Sequence, residues 1–549
     1  MASLRHLLNI QNTKSIKANK NYISATEFEN FINGDLVCDW LNIVLPKIQE
    51  NHPLQQLFNK GIHYEAEVID VLRKKFKLPL EKLSSLSTSR EYTQYEHKLD
   101  LKTTITAMKR GDHILYSAFI AGEKEEIRGI PDLLVRSDYI EKYFGVEVPQ
   151  EESLFGSYYY IPIEIKYSSL HFDKSEKTLL NINRTKMYKT QLCVYSKILS
   201  ELQSVFPCCA FILCKNFIKD LKQDQIKLGH VYFQTRDNEI VSLFYKGIEW
   251  LRDVNKNAHK WDEFSVKLLP NMKVNNPLYE TEKKILSEHF GEITEFWQCS
   301  LKHRYNLLEN TNDKIYSWKD PEFDTDLLGV PKAYFDKVDK LIKINRGELG
   351  CSVYPKKIKH DLYEWRSESD EMFVDFETVG DINENEESTI YLIGVYYRRK
   401  YTYFLADNIG SSAEKEIVLS FYNFWKDNGK PRAWYWYAEN SFWDRVCKKY
   451  ELQLQINWND LHKVFFEGNV LVKGCKNFKL KSYINSLVKL GKINIKLPPE
   501  NCCNGLDALF LGATFYENRD QAILQSILLY NEFDCKSLHT LLQFIRSSL

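Results

Sequence analysis

Two sets of carboxylates in this chain have the types and spacing that phosphoryl chemistry needs. In the first, Asp132 follows Gly129, Ile130 and Pro131 and opens an apolar run. Glu164 and Lys166 stand two apart in YYYIPIEIKYS (158–168), among Ile161, Ile163, Ile165 and Tyr167. Two carboxylates converging at one end of paired strands repel each other unless a divalent cation neutralises them, and oxygen ligands of this kind take Mg²⁺ or Mn²⁺. A lysine beside such a cation positions or deprotonates a water and neutralises charge building on a phosphoryl oxygen. The plainer alternative is a surface strand on which Glu164 and Lys166 merely pair. In the second set, Asp375 and Glu377 are two apart in EMFVDFETVG, hence on one face of a strand. Asn440 and Asp444 are spaced i, i+4, and so are Tyr530 and Asp534 in YNEFDCKSLHTLLQFI, so each pair shares a helix face. Asp375, Glu377, Asp444 and Asp534 would surround two metal ions, which clamp the attacking and leaving oxygens of a phosphodiester.

These residues need rigid mounts, and the surrounding patterns predict them. The fold class is mixed α/β and multidomain, since 549 residues exceed one compact core. Residues 1–245 read as one domain: a helix near 24–44, another near 61–76, strands near 113–136 and 160–167, a helix near 184–202, and the strand CCAFILC. Asp132 and Glu164 are 32 residues apart, so YIEKYFGVEVPQEESLFGS reads as a loop inserted beside the site. Residues 246–365 are rich in Lys, Glu, Asn and Trp, with helical periodicity and no strong strand. Residues 366–549 open with the strands MFVDFE, TIYLIGVYY and YTYFLAD and then alternate helices with strands, the mark of an α/β domain. Trp434 to Tyr437 read as a packed strand rather than a stacking platform.

Composition narrows the class of protein. Hydrophobic residues are 44% and charged residues 27%, with a formal net charge of +0, so any nucleic-acid site must be a local basic groove rather than a global field. Twelve cysteines without an even framework read as reduced thiols of an intracellular protein. No apolar stretch approaches membrane-spanning length. Arg5, Lys14, Lys17 and Lys20, with no acid before Glu27, read as a basic tail, with a mitochondrial presequence as the rival. An intracellular protein of the cytoplasm, nucleoid or nucleus is expected.

The order P-D, E-x-K and then QLCVY (191–195) resembles the PD-(D/E)XK nucleases, and the Q-x-x-x-Y places it near their RecB-like branch. The resemblance implies a restriction-endonuclease-like N-terminal domain in which Gln191 and Tyr195 line the site or contact DNA. It also assigns metal roles to Glu65 and His63 in GIHYEAEVIDVL (61–72), although His63 is one position earlier than the family pattern. Some relatives hold an iron–sulfur cluster with one early and three late cysteines. Cys38 matches the early one, but Cys208, Cys209 and Cys214 have the wrong spacing, so a cluster is not expected. In the second set, D-x-E, N-x-x-x-D and Y-x-x-x-D resemble the DEDD 3′–5′ exonucleases of the RNase H-like fold. Tyr530 fits their Tyr subclass, where the phenol orients the attacking water. FKLKSYINSL (478–487) is similar to a lysine-bearing segment of fused nucleases with this domain order, which gives Lys479 or Lys481 a phosphate contact. LKHRYNLLENTNDKIYSWKDP (301–321) resembles a degenerate helix-hairpin-helix.

The expected activity is metal-dependent hydrolysis of DNA single strands or ends, with Lys166 and Tyr530 serving the water. An RNA exonuclease is the rival enzyme. A nucleic-acid-binding scaffold with inactive sites is the rival from another class.

Overall fold

The apolar runs beside Asp132 and Glu164 become neighbouring strands of one sheet. In a computed structural model, residues 4–8, 22–45, 54–84, 94–168, 170–174, 178–215, 217–218, 228–261, 265–380, 388–499 and 501–549 are described. Lys14, Lys17 and Lys20 of the basic tail lie outside them. The chain divides into two compact units, 1–290 and 291–549. Among the described residues no helix is long and apolar enough to cross a membrane.

The first unit is built on five strands: β1 (Ile114–Tyr116), β2 (Leu133–Arg136), β3 (Tyr160–Ile165), β4 (Ala210–Leu213) and β5 (Gly229–Val231), in that spatial order. Strands β2 and β3 are antiparallel, with Leu133 paired to Ile163, which sets Asp132 across from Glu164. Strands β3 and β4 are parallel, and helix α2 (Asn183–Gln203) forms the crossover between them. All six residues of β3 are buried, because helices cover both faces of the sheet. Helix α1 (Leu54–Phe76) brings Tyr64, Val68 and Leu72 to the face holding Ile161 and Ile163. Helix α2 and helix α3 (Asn238–Asn257) cover the face holding Tyr160, with Leu192, Tyr195, Phe244 and Ile248. Alternation along β3 then sends Glu164 toward α2. The 32-residue gap between the two acids is not all loop. Residues Ser137–Phe144 form a helix that buries Ile140, Tyr143 and Phe144.

The second unit is built on β6 (Glu371–Val379), β7 (Thr389–Tyr397), β8 (Lys400–Leu405), β9 (Arg432–Tyr435) and β10 (Trp458–Asp460), in the spatial order β8-β7-β6-β9-β10. The first three are antiparallel neighbours, while β9 and β10 run parallel to β6. Met372, Val374 and Phe376 of β6 pack with helix α4 (Ser411–Asp427) in one core. Phe373 packs on the other face with helix α8 (Gln521–Ser548). Asp375 and Glu377 share the parity of Phe373 and so face α8. Helices α5 (Glu439–Lys449), α6 (Leu480–Lys489) and α7 (Gly505–Asn518) lie between β9 and α8 in the chain.

The stretch 246–365, expected to stand apart, is shared between the units. Helix α3 extends to Asn257 because Phe244 stacks on Phe28 and Ile248 and Leu251 are buried in the first unit. Helix Lys332–Arg346 buries Val338, Leu341, Ile342 and Ile344 in the same core as Val470, Leu487 and Leu541 of the second unit. The helix-hairpin-helix expectation does not hold. Helix Leu301–Thr311 ends at Asn312 and Asp313, both in left-handed conformation, and no second helix follows before the short turn Thr325–Leu328.

Candidate active sites

In the first unit, strand pairing and the crossover helix assemble one buried cluster. The Asp132 carboxylate accepts the backbone N–H of Ile165 at 2.6 Å. The Lys166 ammonium donates to Glu164 Oε1 at 2.7 Å, and the Gln191 amide donates to the same oxygen at 2.7 Å. Gln191 also donates to the Tyr195 hydroxyl at 2.8 Å, one helical turn on. This ties α2 to the strand that carries Glu164. Glu164 Oε2 is buried and has no hydrogen-bond partner. Gly129 is required by the same packing, since a Cβ there would lie 2.2 Å from the Tyr195 ring.

Electrostatics follow from this burial. Desolvation, then the charges of Glu164 and Glu65, push the Asp132 carboxyl well above its ordinary range. Burial likewise raises Glu164, against the opposing pull of Lys166. Burial alone would lower the Lys166 ammonium, but Glu164 and Asp132 outweigh it and hold the proton more tightly than usual. Glu65 reaches the edge of the cluster, accepting from the Tyr116 hydroxyl at 3.0 Å. His63 does not join. It is exposed on α1, and Tyr64 takes the inward position, donating to the Cys214 carbonyl. The one-residue offset turns His63 about 100° away from the productive face. Cys38 is also remote in character, a buried thiol donating to Asp35 at 3.2 Å.

In the second unit, β6, α5 and α8 contribute four acids. Burial, then Glu377, Asp534 and Glu439, push Asp375 well above its ordinary range. Burial and Asp534 raise Glu377 to about 8. Burial, then Asp460 and Asp534, raise Glu439 to about 8 as well. Burial also raises Asp534, against Lys481 and the Tyr530 hydroxyl. Asp534 Oδ1 is buried without a partner, as Glu164 Oε2 is in the first unit. The Lys481 ammonium donates to the Tyr530 hydroxyl at 2.5 Å and to the Cys503 carbonyl at 2.9 Å, and lies 3.9 Å from Asp534. Lys479 is exposed at the cap of α6.

Three features here had no signal in motif spacing. Asp444 is exposed on α5 and is not drawn in with the other three acids. The buried acid of α5 is Glu439, in its first turn. Asn531, next to Tyr530, is fully buried, and its amide donates to Asp375 Oδ2 at 2.7 Å and to Glu377 Oε1 at 3.3 Å. The aromatic run WYWY also divides: Trp434 is buried in β9, whereas Tyr437 is 69% exposed with φ at +81°.

Among the described residues, no group of three or more His, Cys, Asp or Glu side chains is arranged to hold a metal ion as it stands. The chemistry of the donors nevertheless fits a hard divalent cation. Each cluster is buried and acidic, with one carboxylate oxygen lacking any donor, where an unpaired charge is costly.

Residues 372–546 match the family model of the RNase H superfamily, a span that covers the second sheet and the acids on β6, α5 and α8. No curated protein matches the chain. The C-terminal unit is RNase H-like, which points to nuclease-type chemistry on a nucleic acid.

Proposed function

We propose that the chain is a divalent-metal-dependent nuclease that hydrolyses DNA at two sites, one RecB-like of the PD-(D/E)XK type and one a DEDD-type 3′–5′ exonuclease of the Tyr subclass. The observation that carries this reading is shared by both clusters: acids whose protons are held by burial and by neighbouring acids gather about a buried carboxylate oxygen without a donor, Glu164 Oε2 in one and Asp534 Oδ1 in the other.

In the N-terminal site Asp132 and Glu164 would hold Mg²⁺ or Mn²⁺, with Glu65 at the edge. In the C-terminal site Asp375, Glu377, Asp534 and Glu439 are the holders that burial favours over Asp444. The cation, when bound, supplies charge neutralisation at the phosphoryl oxygens and a more acidic water. The chain's own groups do the rest. Lys166 keeps its proton between Glu164 and Asp132, so its role is to place the water and neutralise phosphoryl charge rather than to act as a base. Gln191 and Tyr195 fix the rotamer of Glu164. Tyr530, held as a neutral phenol by burial and the neighbouring carboxylates, orients a water from its hydroxyl. Lys481 fixes that hydroxyl.

The test is degradation of end-labelled single-stranded DNA and RNA with Mg²⁺ or Mn²⁺, comparing wild type with Lys166→Ala and Asp375→Ala. Each variant is expected to lose one product pattern and keep the other, and the double variant to cut nothing. A wild-type protein that binds DNA but cleaves nothing with either metal would contradict the proposal, and cleavage of RNA alone would change the substrate.

A further inference from the structure

Asn531 is a fully buried, multiply hydrogen-bonded side chain of the C-terminal cluster, and the proposed chemistry gives it no part. Its amide sits between two layers. On one side its nitrogen donates to Asp375 Oδ2 at 2.7 Å, to the Asp375 carbonyl at 3.3 Å and to Glu377 Oε1 at 3.3 Å. On the other side its oxygen accepts the Tyr401 hydroxyl, from β8, at 2.8 Å. The residue is fully buried. Its space exists because Gly394 of β7 stands directly opposite Asp375 in the ladder, and a Cβ at Gly394 would lie 1.6 Å from Asn531 Oδ1. No side chain fits at 394 while the amide is there.

With both acids ionised, as a bound cation would keep them, the chemistry of the partners favours one orientation. A carboxylate accepts and does not donate, so the NH₂ end must face Asp375 and Glu377. A phenol kept neutral by burial can donate to the oxygen end. Reversing the amide would set its oxygen against the oxygens of two ionised carboxylates. The acids set which end of the amide meets them, and the Tyr401 hydroxyl, with the Cys535 thiol at 3.9 Å, holds the oxygen end in place.

Resting on the proposed two-metal reading of this site, we propose that Asn531 is a positioning residue, held by Tyr401, that sets the Asp375 and Glu377 carboxylates for a divalent cation. The amide supplies a donor to each acid without bringing a charge that would compete with the cation. It also fixes the rotamers of two side chains that repel each other. Partners of this kind around ligating groups typically change metal affinity about 10- to 100-fold.

Mn²⁺ binding to the full chain, by calorimetry and by the spectrum of free Mn²⁺, tests this in a Glu164→Gln parent, where the N-terminal site is disabled. The parent is expected to bind Mn²⁺ and an added Asp375→Asn to abolish that binding, which establishes the site itself. Asn531→Leu should weaken binding about 10-fold. Tyr401→Phe, which removes one oxygen and keeps the ring, should weaken it about threefold, the worth of one hydrogen bond. Gly394→Ala should match Asn531→Leu, because the added methyl displaces the amide. If Tyr401→Phe and Asn531→Leu bind Mn²⁺ as tightly as the parent while Asp375→Asn does not bind, the role of Asn531 is refuted and the site stands. If the parent binds no Mn²⁺, both the site and the role fall.

Discussion

The two acidic clusters solve the same electrostatic problem by different means. In the N-terminal unit a cation of the chain's own is in contact with the acids, since Lys166 lies 2.7 Å from Glu164 with its side chain only 22% exposed. In the C-terminal unit three buried acids, Glu377, Glu439 and Asp534, and the half-buried Asp375 have no cation in such close contact. Asn531 offers a neutral amide, and Lys481 stands 3.9 Å from Asp534 while its proton donation goes to Tyr530. The first cluster is partly neutralised by the chain's own lysine, and the second is neutralised less, by a lysine 3.9 Å from one of its acids. The difference also explains why Lys166 is marked in the sequence by its spacing to Glu164, while no lysine stands beside the D-x-E of β6.

The largest consequence concerns the two lysines. Lys166→Met leaves Glu164 and Asp132 buried without a counter-charge, and loss of one partner from such a pair costs about 3–5 kcal/mol. Lys481→Met removes a weaker interaction and is expected to cost about 1 kcal/mol or less. Urea unfolding in chelator at pH 8, following each variant's own transition, measures both. Equal costs would erase the proposed contrast between the units.

Next in size is the identity of the acid on α5. Glu439→Gln should reduce exonuclease activity at least about 10- to 100-fold, as loss of a group around a metal does. Asp444→Asn, at an exposed position, should stay within about twofold. A reversal, with Asp444 essential and Glu439 dispensable, would restore the reading by motif spacing and overturn the one by burial.

A further effect is on pH. Glu377 and Glu439 are both raised to about 8 in the folded protein, against about 4.3 for glutamate in an unfolded chain. The folded state therefore holds their protons more tightly. Their stabilising contribution is complete below about pH 4 and is lost as pH rises through about 8. Without metal, the melting temperature of wild type should fall relative to that of Glu439→Gln between pH 5 and 8.5, and saturating Mn²⁺ should remove most of the difference. A difference that stays flat with pH would count against burial and neighbouring acids holding protons on this cluster.

Much of the site was legible where a simple period governs side-chain direction. Asp375 and Glu377 share a strand face, and Tyr530 and Asp534 share a helix face, whatever the fold around them. Glu164 with Lys166, and Gln191 with Tyr195, follow the same two periods. Legibility failed where direction depends on how an element begins. On α5 the helix starts at Glu439, two residues after the left-handed Tyr437, so Glu439 in the first turn is buried and Asp444 is exposed. On α1 a one-residue offset sends His63 to solvent and Tyr64 to the core. Gly129 and Gly394 mattered only through what approaches them, the Tyr195 ring and the Asn531 amide, neither of which lies near in sequence. The division of the chain was hidden for a related reason. Helix Lys332–Arg346 has an ordinary apolar stripe, and a stripe does not say which core it will join.

The central claim is that both clusters exist to hold divalent cations, and anomalous scattering from a crystal soaked in Mn²⁺ tests it most directly. The account predicts one peak against Glu164 and Asp132 and two within reach of Asp375, Glu377, Glu439 and Asp534, with the orphaned oxygens of Glu164 and Asp534 among the ligands. Saturating Mn²⁺ with no peak at either cluster, or with peaks only at surface acids, would contradict it.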